Sequence, residues 1–267
     1  MTSKKNMWFR PKEMKERDAL HGIPPSDIDR RCFWPESDAK MNGELWFYRK
    51  LKPHIKSIYD VGADTTFYTH FPGAVHYFEP ISTSNIFQAE KVKITHGVDV
   101  MQNGESYFNN YGLSNITDSK QRITWEAGDV LPNPNGEDVL LGGDIYMETK
   151  RADEYIKDNN FKIPDFVSID VEGHEVNVLQ GFGDLLSSVK VIQFEYGGEW
   201  YSAGNKMHDA ISLLKAHSFE DFFYLRMFPD FGLVPFEWTN EQKDHYAYCN
   251  IVCINSNEKE LLWELKT

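Results

Sequence analysis

The chain has 267 residues, 41% of them hydrophobic and 14% aromatic, which suits one large domain with a substantial core and excludes a globally disordered chain. With 28 basic against 41 acidic residues the formal charge is −13, so a phosphate backbone is repelled on average and nucleic acid is not an expected partner. No stretch reaches the ~18 consecutive apolar residues of a membrane span, and the start lacks the apolar core of a secretion signal, so the expected setting is soluble and cytoplasmic.

Residues 1–42 carry two turn-forming stretches, "HGIPPSD" and "FWPESD", and are expected to form an arm packed on a main domain of residues 43–267. "NGELWFYRKLKPHI" has helical apolar spacing, with Asn42 as its cap. From "SIYDVGA" onward the pattern alternates. A strand to Val61, a short helix, strand "AVHYFEP", helix "STSNIFQAEKV" and a strand near "SYFNNYGLSN" come first. After them follow helix "TKRADEYIKDNN", strand "DFVSIDV", helix "HEVNVLQGFGDLL", strand "VKVIQFEY", helix "NKMHDAISLLKAH" and two closing strands around "FEDFFYL" and "YAYCNIVCIN". Strands alternating with helical segments predict an α/β fold: a doubly wound, mostly parallel sheet covered on both faces. Between 116 and 147 the alternation breaks at "LPNPNGED" and "LLGGD", which predicts an inserted loop or hairpin. Cys249 and Cys253 share one strand face and Cys32 is distant, so all three read as buried thiols.

Ligands of such sheets bind beyond the carboxyl ends of the strands, where strand order reverses. After the first strand come Asp60, Gly62, Ala63 and Asp64; after the second, Glu79 and Pro80. A carboxylate ending the second strand, 19 positions after Asp60, suits the hydroxyls of a ribose. "GADTTF" offers one glycine where a dinucleotide loop has three, which argues against NAD and FAD. The densest cluster is "DFVSIDVEGHE", placing Asp170, Glu172, His174 and Glu175 at the end of one strand, with Glu195 ending the next. Carboxylates at neighbouring strand ends face one crevice, where they hold a divalent cation or remove a proton from a hydroxyl. Later aromatics, among them Trp200, Tyr201, Tyr224, Phe228, Phe231, Phe236 and Trp238, read equally as a wall for a sugar or as ordinary packing.

Taken together, "YDVGA" with "HYFEP", "NNYGLSN", "TKRADEYI", "DFVSIDVEGHEVNVLQGF", "VKVIQFEYGG" and "HDAISLLKAHSF" resemble the FkbM family of S-adenosylmethionine-dependent methyltransferases, over about residues 57–254. The resemblance implies a seven-stranded class I Rossmann-like sheet, S-adenosyl-L-methionine as cofactor, and O-methylation of a hydroxyl on a sugar, glycan or related small molecule. It further implies that Asp60, Gly62, Ala63, Asp64, Glu79, Pro80 and Asp170 bind the cofactor. Asp170, Glu172, His174 and Glu195 are then the catalytic candidates. In this reading Asp170 with Glu195 holds Mg2+ or Mn2+, while His174 or Glu172 takes the alcohol's proton. The chain departs from the family at Asp64, Thr66, Ser168 and His174. The alternative is therefore a non-catalytic methyltransferase-like module with weakened cofactor binding.

Overall fold

A computed structural model of the chain describes residues 30–33, 38–63, 67–68, 70–80, 104–131, 139–238, 244 and 246–266. A 3-10 turn at Arg30–Cys32 precedes helix α1 (Glu44–Leu51). Then come β1 (Ser57–Val61), β2 (Ala74–Phe78), β3 (Ser106–Asn109), β4 (Gly112–Leu113), β5 (Asp118–Leu131) and β6 (Val139–Lys150). The chain continues through α2 (Ala152–Asn159), β7 (Phe166–Ile169), α3 (Glu175–Gly181), β8 (Val191–Tyr196), α4 (Gly198–Ser202) and α5 (Met207–Ala216). It closes with β9 (Phe219–Arg226), β10 (Gly232–Phe236), β11 (Cys249–Asn255) and α6 (Lys259–Lys266).

The main sheet has eight strands in the order β10-β9-β11-β8-β7-β1-β2-β3, one more than expected. From β3 to β8 every neighbouring pair is parallel, whereas β11 runs antiparallel to both β8 and β9, and β10 to β9. The added strand is β10. It lies at the edge, the place in a sheet where a residue without an N–H, such as Pro235, is tolerated. Because β2 and β3 extend the sheet on one side of β1 while β7 and β8 extend it on the other, the crossovers part between β1 and β7. That divergence opens a crevice at the carboxyl ends.

Alternation along β1 feeds two cores. Tyr59 and Val61 join Phe78, Val167, Ile169, Phe194 and Tyr196, covered by Tyr155 and Ile156 of α2, Val178 and Leu179 of α3, and Ile211 and Leu214 of α5. Ile58 joins Val75, Tyr77 and Phe166 beneath Phe47 and Leu51 of α1 and Leu261 of α6. Each such fully buried Leu, Ile, Val or Phe side chain contributes roughly 1.5–3 kcal/mol.

Helix α1 shows how the sequence fixes one of these elements. Glu44, Phe47, Tyr48 and Leu51 share one face, the Asn42 side-chain oxygen accepts the Glu44 N–H at 3.0 Å, and Pro53 ends the α-helical run. The interruption expected near 116–147 is an antiparallel ribbon, β5 with β6, in a separate three-stranded sheet ordered β4-β6-β5. Ser114 N–H donates to Lys150 C=O at 2.9 Å where the ribbon leaves and rejoins the body. Most of residues 1–42 and the expected helix at "STSNIFQAEKV" lie outside the described residues. The described part of the N-terminal stretch packs on β9: Phe33 lies 4.8 Å from Tyr224 between ring centroids, and Arg31 C=O accepts the Met227 N–H at 3.1 Å. All three cysteines are buried free thiols, and among the described residues no helix is long and apolar enough to cross a membrane.

Candidate active site

Asp60 lies beside Tyr77 of β2 and Ser168 of β7 in the ladder, and next to Tyr59 in a strand whose side chains alternate, so it projects to the α1 side of the sheet. Burial pushes its carboxyl well above the ordinary range, and the charges of Glu44, Asp170 and Glu79 push it further. Four acids from four elements thus share one field. Glu44 is one that the sequence reading missed. Its carboxylate accepts from Asn42 Nδ2 and from Gln193 Nε2 of β8, both at 2.9 Å, yet burial still raises its pKa.

Gly62 holds the turn after β1 against β7. At φ +85 its backbone is left-handed, and a Cβ there would stand 1.7 Å from the Asp170 carbonyl oxygen. The Gly62 and Ala63 amides both donate to Phe78 C=O, at 2.9 and 3.2 Å, and Asp170 N–H donates to Val61 C=O at 2.9 Å. These two residues therefore shape the crevice by tying three strand ends together, with their own donors already engaged, and the Ala63 side chain lies in the core. Glu79 is 8% exposed at the end of β2. Its N–H donates to Asn109 C=O at 3.1 Å, while Asn110 Nδ2 donates to the carbonyls of Glu79 and Pro80, each at 3.1 Å. Asp64 and Thr66 lie outside the described residues, so the departures there have no structural account. Ser168, another of the departures, is hydrogen-bonded to the buried Tyr68 hydroxyl.

The acidic turn is built differently. Asp170 is exposed, Glu172 takes a left-handed φ of 52, and Gly173 at φ +99 leaves no room for a Cβ, which would meet the Glu199 carbonyl at 2.6 Å. Glu175, 1% exposed, turns back into this loop: its Oε1 accepts the Val171 N–H at 3.2 Å and the Gly173 N–H at 3.3 Å. Its Oε2 is buried with no partner among the described residues. Burial, with the Asp170 charge adding to it, moves this carboxyl up to about 8. His174 precedes α3, and burial lowers its pKa, which favours the neutral ring.

Glu195, near the end of β8, is pushed well above the carboxylate range by burial and by Asp170, Glu172, Glu199 and Glu175. Glu199 is a second acid the sequence reading missed; it opens α4 and accepts a hydrogen bond from the Tyr248 hydroxyl. Asp170 enters the fields of Asp60, Glu175 and Glu195 alike, so the acids at the ends of β1, β7 and β8 lie within electrostatic reach of one another, and Glu79 at the end of β2 lies within reach of Asp60. Among the described residues no three His, Cys, Asp or Glu side chains are arranged to hold a metal ion. The aromatic wall resolves mostly into packing, since Trp200, Tyr224 and Trp238 are buried, while Tyr201 and Phe228 are exposed.

A model of the methyltransferase FkbM domain matches residues 59–220, from β1 to the start of β9, and so includes every acid of the crevice except Glu44. The chain belongs to the FkbM methyltransferase family. The hexuronic acid methyltransferase AglP of Haloferax volcanii is 33% identical over 85 residues, 32% of this chain and 34% of that protein. Among solved structures, methyltransferase FkbM from Methylobacillus flagellatus KT aligns at 11% identity and a TM-score of 0.44, over 74% of this chain and 43% of that one. EvdMO1 aligns at 12% identity and a TM-score of 0.40, over 91% and 47%. The chain thus spans less than half the length of each of these three proteins.

Proposed function

We propose that this FkbM methyltransferase transfers a methyl group from S-adenosyl-L-methionine to a hydroxyl of a sugar or glycan. The reading is supported by strand-end acids of β1, β2, β7 and β8 that lie within one another's electrostatic reach at the switch point of the sheet. The sugar class is supported by the relative named for hexuronic acid, over the third of its length that aligns.

When bound, S-adenosyl-L-methionine supplies a methyl already activated on a sulfonium. The chain's residues fit it. Glu79, buried at the end of β2, accepts hydrogen bonds from the ribose hydroxyls, and Gly62 keeps the β1 turn low enough for close approach. What remains is to align the acceptor oxygen and remove its proton as the sulfur–methyl bond breaks and the oxygen–methyl bond forms. Glu195 takes that proton. Its pKa, raised by burial and by Asp170, Glu172, Glu199 and Glu175, makes it a stronger base than an ordinary carboxylate. Asp170, exposed beside it, accepts a hydrogen bond from the sugar and fixes the attack line, and neutral His174 borders the same turn.

The test is a calorimetric titration with S-adenosyl-L-methionine and its demethylated product, followed by labelled transfer to a sugar mixture read as a mass gain of one CH2. Absence of both heat and thermal stabilisation at millimolar ligand would overturn the reading in favour of the non-catalytic module.

A further inference from the structure

The outer face of α1 forms one side of a groove of about 420 Å³ lined by Lys40, Leu45, Trp46, Arg49, Lys50 and Phe231. Two features set it apart from ordinary surface. Its walls are aromatic: Trp46 and Phe231 lie nearly parallel, with centroids 6.3 Å apart and planes 20° from one another. Its charge is all of one sign: Lys40, Arg49 and Lys50 line it with no acid among them, on a chain whose formal charge is −13. Among the described residues none of the three cations is held in a salt bridge, and Lys50 Nζ sits 5.5 Å from the Trp46 ring centroid.

The volume falls in the ~300–1,000 Å³ range of small-ligand clefts, enough for one or two pyranose rings. A pyranose presents a flat face of C–H groups that packs on an indole, and a guanidinium grips a carboxylate through two parallel hydrogen bonds. The groove also has a meaningful place. Leu45 and Trp46 follow Glu44, whose charge Asp60 feels in the crevice, and Phe231 lies in the loop leaving the carboxyl end of β9. Groove and crevice therefore open at the same end of the sheet.

We propose that this groove is an anchoring subsite for an acidic saccharide, with a uronate ring packed on Trp46 and Phe231 and its carboxylate held by Lys40, Arg49 and Lys50. The subsite deepens the sugar-acceptor reading and rests on it for the reaction, though its binding is measurable without it. Single-stranded RNA shares the aromatic and basic requirements, but the net negative charge of the chain opposes a long phosphate backbone.

The probe is trigalacturonate, titrated into the full chain by calorimetry beside its neutral methyl ester. The expected result is at least tenfold weaker binding of the ester. The same loss is expected for trigalacturonate with the double variant Arg49→Glu, Lys50→Glu and, on a separate segment, with Lys40→Glu. All of these variants should keep the thermal midpoint and the affinity for S-adenosylhomocysteine. Equal affinity for acid and ester, or no effect of either charge reversal, overturns the proposal. So does a stronger variant-sensitive affinity for oligouridylate or for phosphatidylglycerol vesicles. If S-adenosylhomocysteine fails to bind while trigalacturonate binds as described, the methyl-transfer reading falls and the subsite stands.

Discussion

Replacing Glu175 by Gln isolates the energetic cost of one carboxyl in the acidic turn. Its Oε1 receives two backbone N–H groups, at 3.2 and 3.3 Å, and a glutamine oxygen keeps both. What changes is ionisation. Folding carries this carboxyl from an ordinary 4.5 up to about 8, a shift worth about 5 kcal/mol at ~1.36 kcal/mol per unit. The folded pKa is the higher one, so the favourable contribution is complete below 4.5 and is lost as pH rises through about 8. Glutamate and glutamine chains should be about equally stable near pH 4. At pH 7 the glutamine variant should lead by about 3 kcal/mol, and near pH 8.5 by about 5 kcal/mol. Urea unfolding midpoints of both proteins at several pH values measure this difference, and relief of Glu195 from the Glu175 charge in the variant adds to it in the same direction. Parallel stability profiles across that range would refute the claim that burial, rather than the two hydrogen bonds, governs this group.

Three other changes probe the crevice. Gly62→Ala forces a Cβ to within 1.7 Å of the Asp170 carbonyl at a left-handed φ, so denaturant unfolding should show a loss of about 3 kcal/mol or more; a loss below 1 would mean that the turn is not so constrained. Glu79→Ala should weaken S-adenosylhomocysteine binding by about 1.5–3 kcal/mol, roughly ten- to a hundredfold, and unchanged affinity would remove Glu79 from the ribose. Glu195→Gln should bind cofactor normally yet lose about a hundredfold or more in turnover. Because Glu195 must be ionised to take a proton and its pKa is raised, wild-type turnover should climb with pH at values above the ordinary carboxylate range, and that climb should vanish in the variant.

The strand-and-helix alternation was readable because parallel strands buried on both faces, such as "FVSI" and "VIQF", leave continuous apolar runs between amphipathic helices. The acidic turn was readable for a similar reason, as four titratable groups stand within six positions right after a buried strand. The edge strand β10 gave no such signal: "GLVPF" is only half buried and carries a proline, so it reads as loop until β9 supplies its partner. Glu44 was hidden by distance along the chain, although it left a clue: it is the one acid on the core-facing stripe it shares with Phe47, Tyr48 and Leu51. Glu199 left less, since a glutamate opening a helix ordinarily needs no reason beyond the helix dipole. Its share in the field around Glu195 emerges only when β8 and α4 meet.

The β5–β6 ribbon has its own implication. Its departure and return are clasped by the pairing of β4 with β6 and by the backbone bond from Ser114 to Lys150, and Arg151 Nη1 reinforces the clasp by donating to Asn115 C=O at 2.8 Å. The body of the protein therefore experiences the whole excursion as a short loop. A change of length between the clasped ends does not re-thread the eight-stranded sheet.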